Sequence, residues 1–442
     1  MSAALKRNAT LDDAVAAAEA KYVAANPLSR ARFEAARAAM PGGNTRTTLH
    51  YDPFPLAIRS GQGARITDLD GHDYADFLGE YTAGLYGHSH PVLIGALKAA
   101  LDGGLSFGAP GEMEVRFADL MVSRFPSLER VRFCNSGTEA NLMAVSLARV
   151  ATGRSKVMVF HGGYHGAVFY FVSQPAAVNA PFPFIIGRYN DAQHAADLIA
   201  KEGADLAAIL VEPMQGSAGC IPATPEFLQA LRDGATKSGA VLIFDEVMTS
   251  RLHPGGLQGA LGIHSDLTSF GKYLGGGASF GAFGGRADLM DRFDPTRADA
   301  LPHAGTFNNN VLTMTAGYTG LAQVFTPEAC VQLNATGDAF RDRLNAIAKK
   351  LDAPAQVTGR GSMLAVHFQR GAIARAGDLT SLPAARKLFH LEMLESGLSF
   401  ARRGFMALCL PLEAKDYDTY AAAFEEFLSS YAGLLAPTTA PR

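Results

Sequence analysis

One lysine, Lys272, stands between glycines in "TSFGKYLGGG" (268–277), directly after a short apolar run. A glycine-rich turn gains nothing from a long charged side chain unless the amine has a task. Two tasks are chemically open: contacting phosphates, or condensing with a carbonyl. A phosphate-binding P-loop requires glycine at 266 and serine or threonine at 273, where this chain has Asp266 and Tyr273. The glycines of "GGGASFGAFGG" also miss the spacing of a dinucleotide-binding fingerprint. Carbonyl chemistry remains. Lysine becomes competent for it when a partly dry pocket strips the ammonium of its proton.

Other reactive side chains fall at comparable places. "RVRFC" (130–134) leads into "NSGTEAN", "KVMVF" (156–160) into "HGGYHG", and "AAILV" (207–211) into "EPMQG". "AVLIF" (240–244) leads into "DEV", and "LTSF" (267–270) into the lysine turn. Helical patterns at 138–151, 192–202 and 225–238 lie between these runs. Strands alternating with helices predict an α/β fold with a mostly parallel sheet, whose ligands bind beyond the carboxyl ends of the strands. Five strand ends then bring Ser136, Gly137 and Thr138, Tyr164, Glu212, Asp245 and Lys272 to one crevice.

That set matches the needs of pyridoxal 5′-phosphate, which combines a carbonyl, a phosphate and a basic ring nitrogen. Gly137 and Thr138 open a helix, where backbone N–H groups and the helix dipole hold an anion, and the Ser136 and Thr138 hydroxyls add to the cup. Asp245 keeps the ring nitrogen protonated; Tyr164 and Val247 pack on the two ring faces. Singly, each residue has a plainer use: a strand-end aspartate caps a helix, a tyrosine fills a core, a lysine sits in solvent. At successive strand ends those plain uses need five coincidences. His161 and His165 stand four apart, but "HGGYHG" is too rich in glycine for a helix aiming both at a metal, so no metal site is expected.

The flanks are simpler. Thr10 with Asp13 marks a helix start running to about 25, a second helical pattern spans 28–39, and 56–77 suggests a hairpin. After 310 the chain is helical to 350, then mixed, with strands at "SMLAVHF" and "FMALCLP" and a closing helix over 415–432. We expect a large domain at 71–315 and a smaller α+β domain built from 1–70 and 316–442. No apolar run is long enough to span a bilayer, no secretory signal is evident, and a net charge of −3 without a basic stripe argues against nucleic acid. Cys134, Cys220, Cys330 and Cys409 form neither a CxxC pair nor a disulfide framework, which points to a reducing cytoplasm.

The ordered set "NSGTEAN", "GGYHG", "VEPMQG", "FDEVMTS", "GKYLGGG" and "GTFNNN" resembles the class III aminotransferases of PLP fold type I over nearly the whole chain. Within that class it is most similar to the β-phenylalanine aminotransferases, with the glutamate-1-semialdehyde aminomutases as relatives. The resemblance implies that Lys272 anchors the cofactor and moves the substrate proton, and that Asp245 pairs with the ring nitrogen. It implies that Glu212 positions the cofactor's surroundings, and that Thr306 of "GTFNNN" reaches the phosphate of a neighbouring subunit in a homodimer. It also implies that Arg46 and either Arg403 or its neighbour Arg402 hold carboxylates on opposite sides of the reacting carbon, with Tyr81 in the pocket wall. The expected activity is transfer of an amino group from a β-amino acid, such as (S)-β-phenylalanine, to 2-oxoglutarate or pyruvate by a ping-pong route. An aminomutase or an ω-amine:pyruvate transaminase is the alternative. "ASF" at 278–280 and "GTFNNN" depart from the aminomutase pattern. A sensor of the same fold without turnover is disfavoured by the retention of both Lys272 and Asp245.

Overall fold

The computed structural model describes residues 10–435; residues 1–9 and 436–442 of the two expected terminal segments lie outside it. Its centre is a seven-stranded sheet. In chain order the strands are β1 (Arg130–Cys134), β2 (Lys156–Phe160), β3 (Phe184–Gly187), β4 (Leu206–Val211), β5 (Val241–Asp245), β6 (Leu267–Gly271) and β7 (Gly281–Gly285). They lie in the order β1-β7-β6-β5-β4-β2-β3. Only β7 runs antiparallel to its neighbours. Every residue of β4, β5 and β6 is buried; β4 and Val241–Phe244 of β5 accordingly read as unbroken apolar runs instead of alternating ones, while β6 carries Thr268 and Ser269.

The helices between the strands end where their capping residues direct. Ser136 caps the helix Gly137–Thr152, which stops at Gly153 with φ +67. Thr224 and Pro225 open the crossover helix Pro225–Ser238, and Gly239 at φ +72 closes it. At the N-terminus Thr10 and Asp13 form the expected capping box of the helix Leu11–Ala25.

The smaller layer draws on both ends of the chain. Strands Ile58–Gln62, Arg65–Asp68 and Asp73–Asp76 form a meander, and Leu398–Ser399 adds to it in parallel beside Ala75 and Asp76. Residue 70 therefore falls inside one sheet, between two of its strands. A second small sheet pairs Gln356–Arg360, Met363–His367 and Phe405–Ala407. One apolar core joins these layers to the large sheet, with Tyr22, Tyr74 and Phe77 buried alongside Phe340, Tyr420 and Phe424. Among the described residues no helix is long and apolar enough to cross a membrane.

Candidate active site

Register aligns the reactive strand ends. Phe244 of β5 lies beside Val211 of β4, and Asp245 beside Ser269 of β6. Gly271 pairs with Gly281 of β7, which pairs in turn with Cys134 of β1. Glu212, Asp245, Lys272 and Ser136 thus follow one another along a single sheet edge.

Lys272 leaves β6 at φ +57, in the left-handed region that residues with a side chain seldom enter. Such strain persists only where surroundings enforce it. Burial lowers the Lys272 amine to about 8, against 10.5 ordinarily; the Glu80 carboxylate opposes the fall, while Arg46 and Arg403 add to it. A useful fraction of the amine is therefore unprotonated near neutral pH.

Asp245 is almost wholly buried and its carboxylate is held from three directions. Oδ1 accepts the Val247 N–H at 3.0 Å, Oδ2 accepts Asn141 Nδ2 at 2.8 Å, and His165 Nδ1 lies 2.8 Å from Oδ2. Ser269 Oγ donates to Asn141 Oδ1 at 2.5 Å, and Asn141 Nδ2 also reaches the His165 carbonyl. Sequence reasoning alone misses this clamp. Asn141 sits one helical turn past Gly137 in "SGTEAN", and that offset from a candidate anion site is its only sequence signal. His165 serves the carboxylate. Among the described residues no cluster of three or more His, Cys, Asp or Glu offers a metal site.

Glu212 accepts the N–H groups of Tyr164 at 2.9 Å and Gly216 at 3.0 Å. Burial is the main influence on its carboxyl, pushed up to about 7, with His165 opposing and the Asp245 charge adding to the rise. It therefore fixes the loop that carries Tyr164. Tyr164 itself meets Tyr170 edge-on with ring centroids 5.8 Å apart.

At β1, Ser136 Oγ accepts the Glu139 N–H at 3.2 Å, which leaves the N–H groups of Gly137 and Thr138 in the unpaired first turn of the helix. Thr138 Oγ1 accepts the Ala167 N–H at 3.1 Å. A Cβ on Gly137 would lie 2.8 Å from a Val247 methyl, and one on Gly166 would lie 2.3 Å from Thr138 Oγ1. Glycine is the residue that lets these backbones approach so closely. A helix-terminal anion cup bounded by Val247, a clamped buried acid and a lysine of depressed basicity together fit pyridoxal phosphate.

An open cavity of about 850 Å³ is lined among others by Thr45, Glu80, Tyr81, Arg402 and Arg403, and the Arg46 guanidinium lies 5.9 Å from the Tyr81 ring. The Tyr81 ring stacks on Phe405 at 5.9 Å between centroids, and the Arg403 guanidinium lies 5.0 Å from the Tyr81 ring and 5.3 Å from that of Phe405. Arg402 is already engaged: its Nη1 and Nη2 each stand 3.2 Å from an Asp52 carboxylate oxygen. Arg403 makes no ion pair among the described residues, and its buried Nε has no hydrogen-bond partner. Of the adjacent pair, Arg403 is the one left for a ligand. Arg46 pairs with Glu80.

Residues 79–82 form a left-handed turn with φ of 51, 44, 52 and 84, a conformation costing about 1–2 kcal/mol for each residue with a Cβ. Arg251, fully buried, donates to the carbonyls of Thr82 and Leu408 and to Ser362 Oγ, tying the turn to the C-terminal sheet. Thr306 is exposed. Nearby, Asn308 accepts from Asn135 beside the anion cup, at 3.0 Å.

The family model described as Aminotransferase class-III matches residues 47–425. The chain is a class III aminotransferase. As a member of that family it depends on pyridoxal 5′-phosphate and has PLP fold type I. A β-phenylalanine transaminase from Variovorax paradoxus is 50% identical to this aminotransferase over 429 residues, spanning 97% of this chain and 99% of its own. A crystal structure of a β-phenylalanine aminotransferase from Variovorax paradoxus superposes with a TM-score of 0.95 at 50% identity, covering 96% of this chain and 99% of that one. A glutamate-1-semialdehyde 2,1-aminomutase from Sorangium cellulosum is 38% identical over 84% of this chain and 89% of its own.

Proposed function

We propose that this aminotransferase takes the amino group of a β-amino acid with an aromatic or apolar side group, such as (S)-β-phenylalanine, and gives it to 2-oxoglutarate or pyruvate. The observation that carries the proposal is the pair Arg46 and Arg403 at the mouth of the crevice, with Arg403 unpaired and braced on Tyr81 and Phe405. Similarity to the β-phenylalanine transaminase supports the choice of donor.

The residues divide the work. Bound pyridoxal phosphate supplies a carbonyl for the amino group and a sink for the electrons of the amine-bearing carbon. Lys272 anchors it and, once freed, carries the proton to and from that carbon; an amine near pH 8 accepts and returns protons readily at physiological pH. Asp245 holds a proton on the ring nitrogen, and the Asn141–His165–Ser269 clamp keeps its carboxylate aimed. Gly137, Thr138 and Ser136 hold the phosphate. Tyr164 and Val247 confine the ring, and Glu212 fixes the Tyr164 loop. Arg46 and Arg403 clamp carboxylates by planar hydrogen bonding, from the N-terminal and C-terminal segments respectively, with Tyr81 between them. Amino donor and oxo acid use the site in turn, in a ping-pong sequence.

In the same proposal the enzyme is a homodimer acting in the cytoplasm, with Thr306 completing the phosphate cup of the partner. Leu101, Leu105, Phe107 and Phe307 are exposed on segments that the Val311–Leu105 backbone hydrogen bond ties together, giving a second copy an apolar face to cover.

The visible spectrum of the purified holoenzyme tests the function. The absorption of bound cofactor is expected to bleach on addition of (S)-β-phenylalanine alone and to return with 2-oxoglutarate or pyruvate. A band indifferent to β-phenylalanine but responsive to glutamate semialdehyde or simple amines would overturn the choice of donor.

A further inference from the structure

The mouth of the crevice holds a carboxylate that this chemistry does not use. Arg46, assigned above to the substrate carboxylate, already has one: its Nη2 pairs with Glu80 Oε1. The pair is not buried; the two side chains are 43% and 49% exposed, so incoming solutes reach it. Arg403, across Tyr81, has no carboxylate partner among the described residues.

Glu80 is also held with unusual care for so exposed a residue. It occupies the left-handed turn at φ +44, between Gly79 and Tyr81. Asp76 Oδ1 accepts the N–H groups of Leu78 and Gly79 at 2.8 and 3.0 Å, fixing the entry to the turn. Arg251 holds the exit through the Thr82 carbonyl. The backbone is also pressed against the C-terminal sheet, since a Cβ on Gly79 would meet the Ala407 carbonyl oxygen at 2.6 Å. A conformation this costly persists where the surroundings over-determine it, and such sites cluster around ligands. Here the enforced geometry delivers two side chains, Tyr81 to Arg403 and Glu80 to Arg46. Glu80 is the leading charge acting on the Lys272 amine, which places its carboxylate within the field of the reacting centre.

We propose that Glu80 occupies Arg46 in the resting enzyme as an internal stand-in for the substrate carboxylate, and that the incoming carboxylate displaces it. The inference rests on the assignment of Arg46 to that carboxylate. Binding at Arg46 is then an exchange of one carboxylate for another, so its net pull is small, whereas Arg403 gains a partner where it had none. The two arginines differ accordingly: Arg403 supplies most of the affinity for an acid, and Arg46 tolerates its absence because Glu80 returns.

The test is a calorimetric titration of the cofactor-loaded enzyme with 3-phenylpropanoate, which keeps the skeleton and carboxylate of β-phenylalanine but has no amine to react. Four proteins are compared: wild type, Glu80→Gln, Arg46→Met and the double variant. Releasing an exposed ion pair should tighten binding to Glu80→Gln by about two- to fivefold. Arg46→Met should weaken binding, and adding Glu80→Gln to it should change nothing further, because no pair remains to release. The uncharged 3-phenylpropan-1-ol should bind wild type and Glu80→Gln alike. Glutamine keeps the length and backbone demands of Glu80, so the turn is equally strained in both, and melting temperatures check that the fold is intact. Unchanged or weaker acid binding by Glu80→Gln, with Arg46→Met still weakened, would overturn the stand-in and leave Glu80 as a brace for Arg46. Full-strength binding by Arg46→Met would instead remove the assignment of Arg46, and the stand-in with it.

Discussion

Replacing Arg403 with methionine removes the guanidinium but keeps an apolar stem against Tyr81 and Phe405. The cation–π attraction of the guanidinium to each ring is worth about 0.5–2 kcal/mol at a partly buried site, so the fold should survive. A hydrogen bond from a charged donor is worth about 1.5–3 kcal/mol. Loss of that bond to the substrate carboxylate should raise KM for β-phenylalanine roughly 10- to 150-fold. A donor without a carboxylate, such as 1-phenylethylamine, should shift by less than about threefold. Arg402→Met is the control. Arg402 is 25% exposed and its partner Asp52 is 60% exposed, so the pair contributes less than about 1 kcal/mol, and to stability instead of binding. Its effect has a pH window. Arg402 is the main reason the Asp52 carboxyl is held down to about 2, from 3.8. A depressed acid contributes stability above its unfolded value and loses it as pH falls through the folded one. Arg402→Met should therefore lower the melting temperature at neutral pH, with the difference fading between pH 3.8 and about 2. Steady-state kinetics on both donors, with melting curves across that range, separate the two arginines. Equal rises in KM for Arg402→Met and Arg403→Met, or equal effects of Arg403→Met on acid and amine donors, would refute the assignment.

Capture of pyridoxal phosphate by the apoenzyme should accelerate with rising pH through about 8, where Lys272 loses its proton; acceleration deferred to above pH 10 would show an ordinary lysine. Gly137→Ala drives a Cβ to 2.8 and 3.0 Å from the Val247 methyls. Overpacking of that kind costs about 1–3 kcal/mol, so cofactor retained after dialysis should fall, and Val247→Ala in the same chain should restore part of it. Asp245→Asn removes the charge and sets an amide NH2 against one of the groups that donate to the carboxylate, so the melting temperature should fall as well. The loss of a charge-assisted bond worth about 1.5–3 kcal/mol should lower kcat roughly 10- to 150-fold, measured below the melting transition, and a kcat within twofold of wild type would exclude Asp245 as the ring-nitrogen partner.

The parts of the architecture set by local patterning are legible in the sequence. β2, β4 and β5 are largely apolar runs, β1 and β6 are shorter apolar pieces interrupted by Arg132 and by Thr268 and Ser269, and the ends of all five carry the candidate cofactor residues. β7 does not read as a strand because "GAFGG" has poor strand propensity. Its glycines answer to their neighbours: added Cβ atoms on Gly281, Gly284 and Gly285 would lie 2.1, 2.3 and 2.1 Å from carbonyl oxygens of Ser136, Arg130 and Asp266. The short strand β3 is likewise hidden between the prolines and glycine of 173–187. The expected boundary at 70 falls inside the stretch 56–77 that reads as a hairpin, where Arg65–Thr67 pairs with Asp73–Ala75; only the addition of Leu398–Ser399 to that sheet leaves no local trace. For the same reason Arg402 and Arg403 are indistinguishable in the sequence. Asp52 decides between them, and it lies far off in the chain.

The pairing of Ala75 and Asp76 with Leu398 and Ser399 imposes a timetable on a chain made from one end. The proposed cofactor-holding residues of one protomer, from Ser136 to Lys272, lie in one continuous stretch whose sheet is complete once β7 has left the ribosome. The meander at 58–76 waits with an open edge until the last part of the chain arrives, and Arg403 and Phe405 arrive with it. Domains fold as they emerge, N-terminal parts first. The residues proposed to hold the cofactor are thus all synthesised well before Arg403, the residue proposed to recognise an acid.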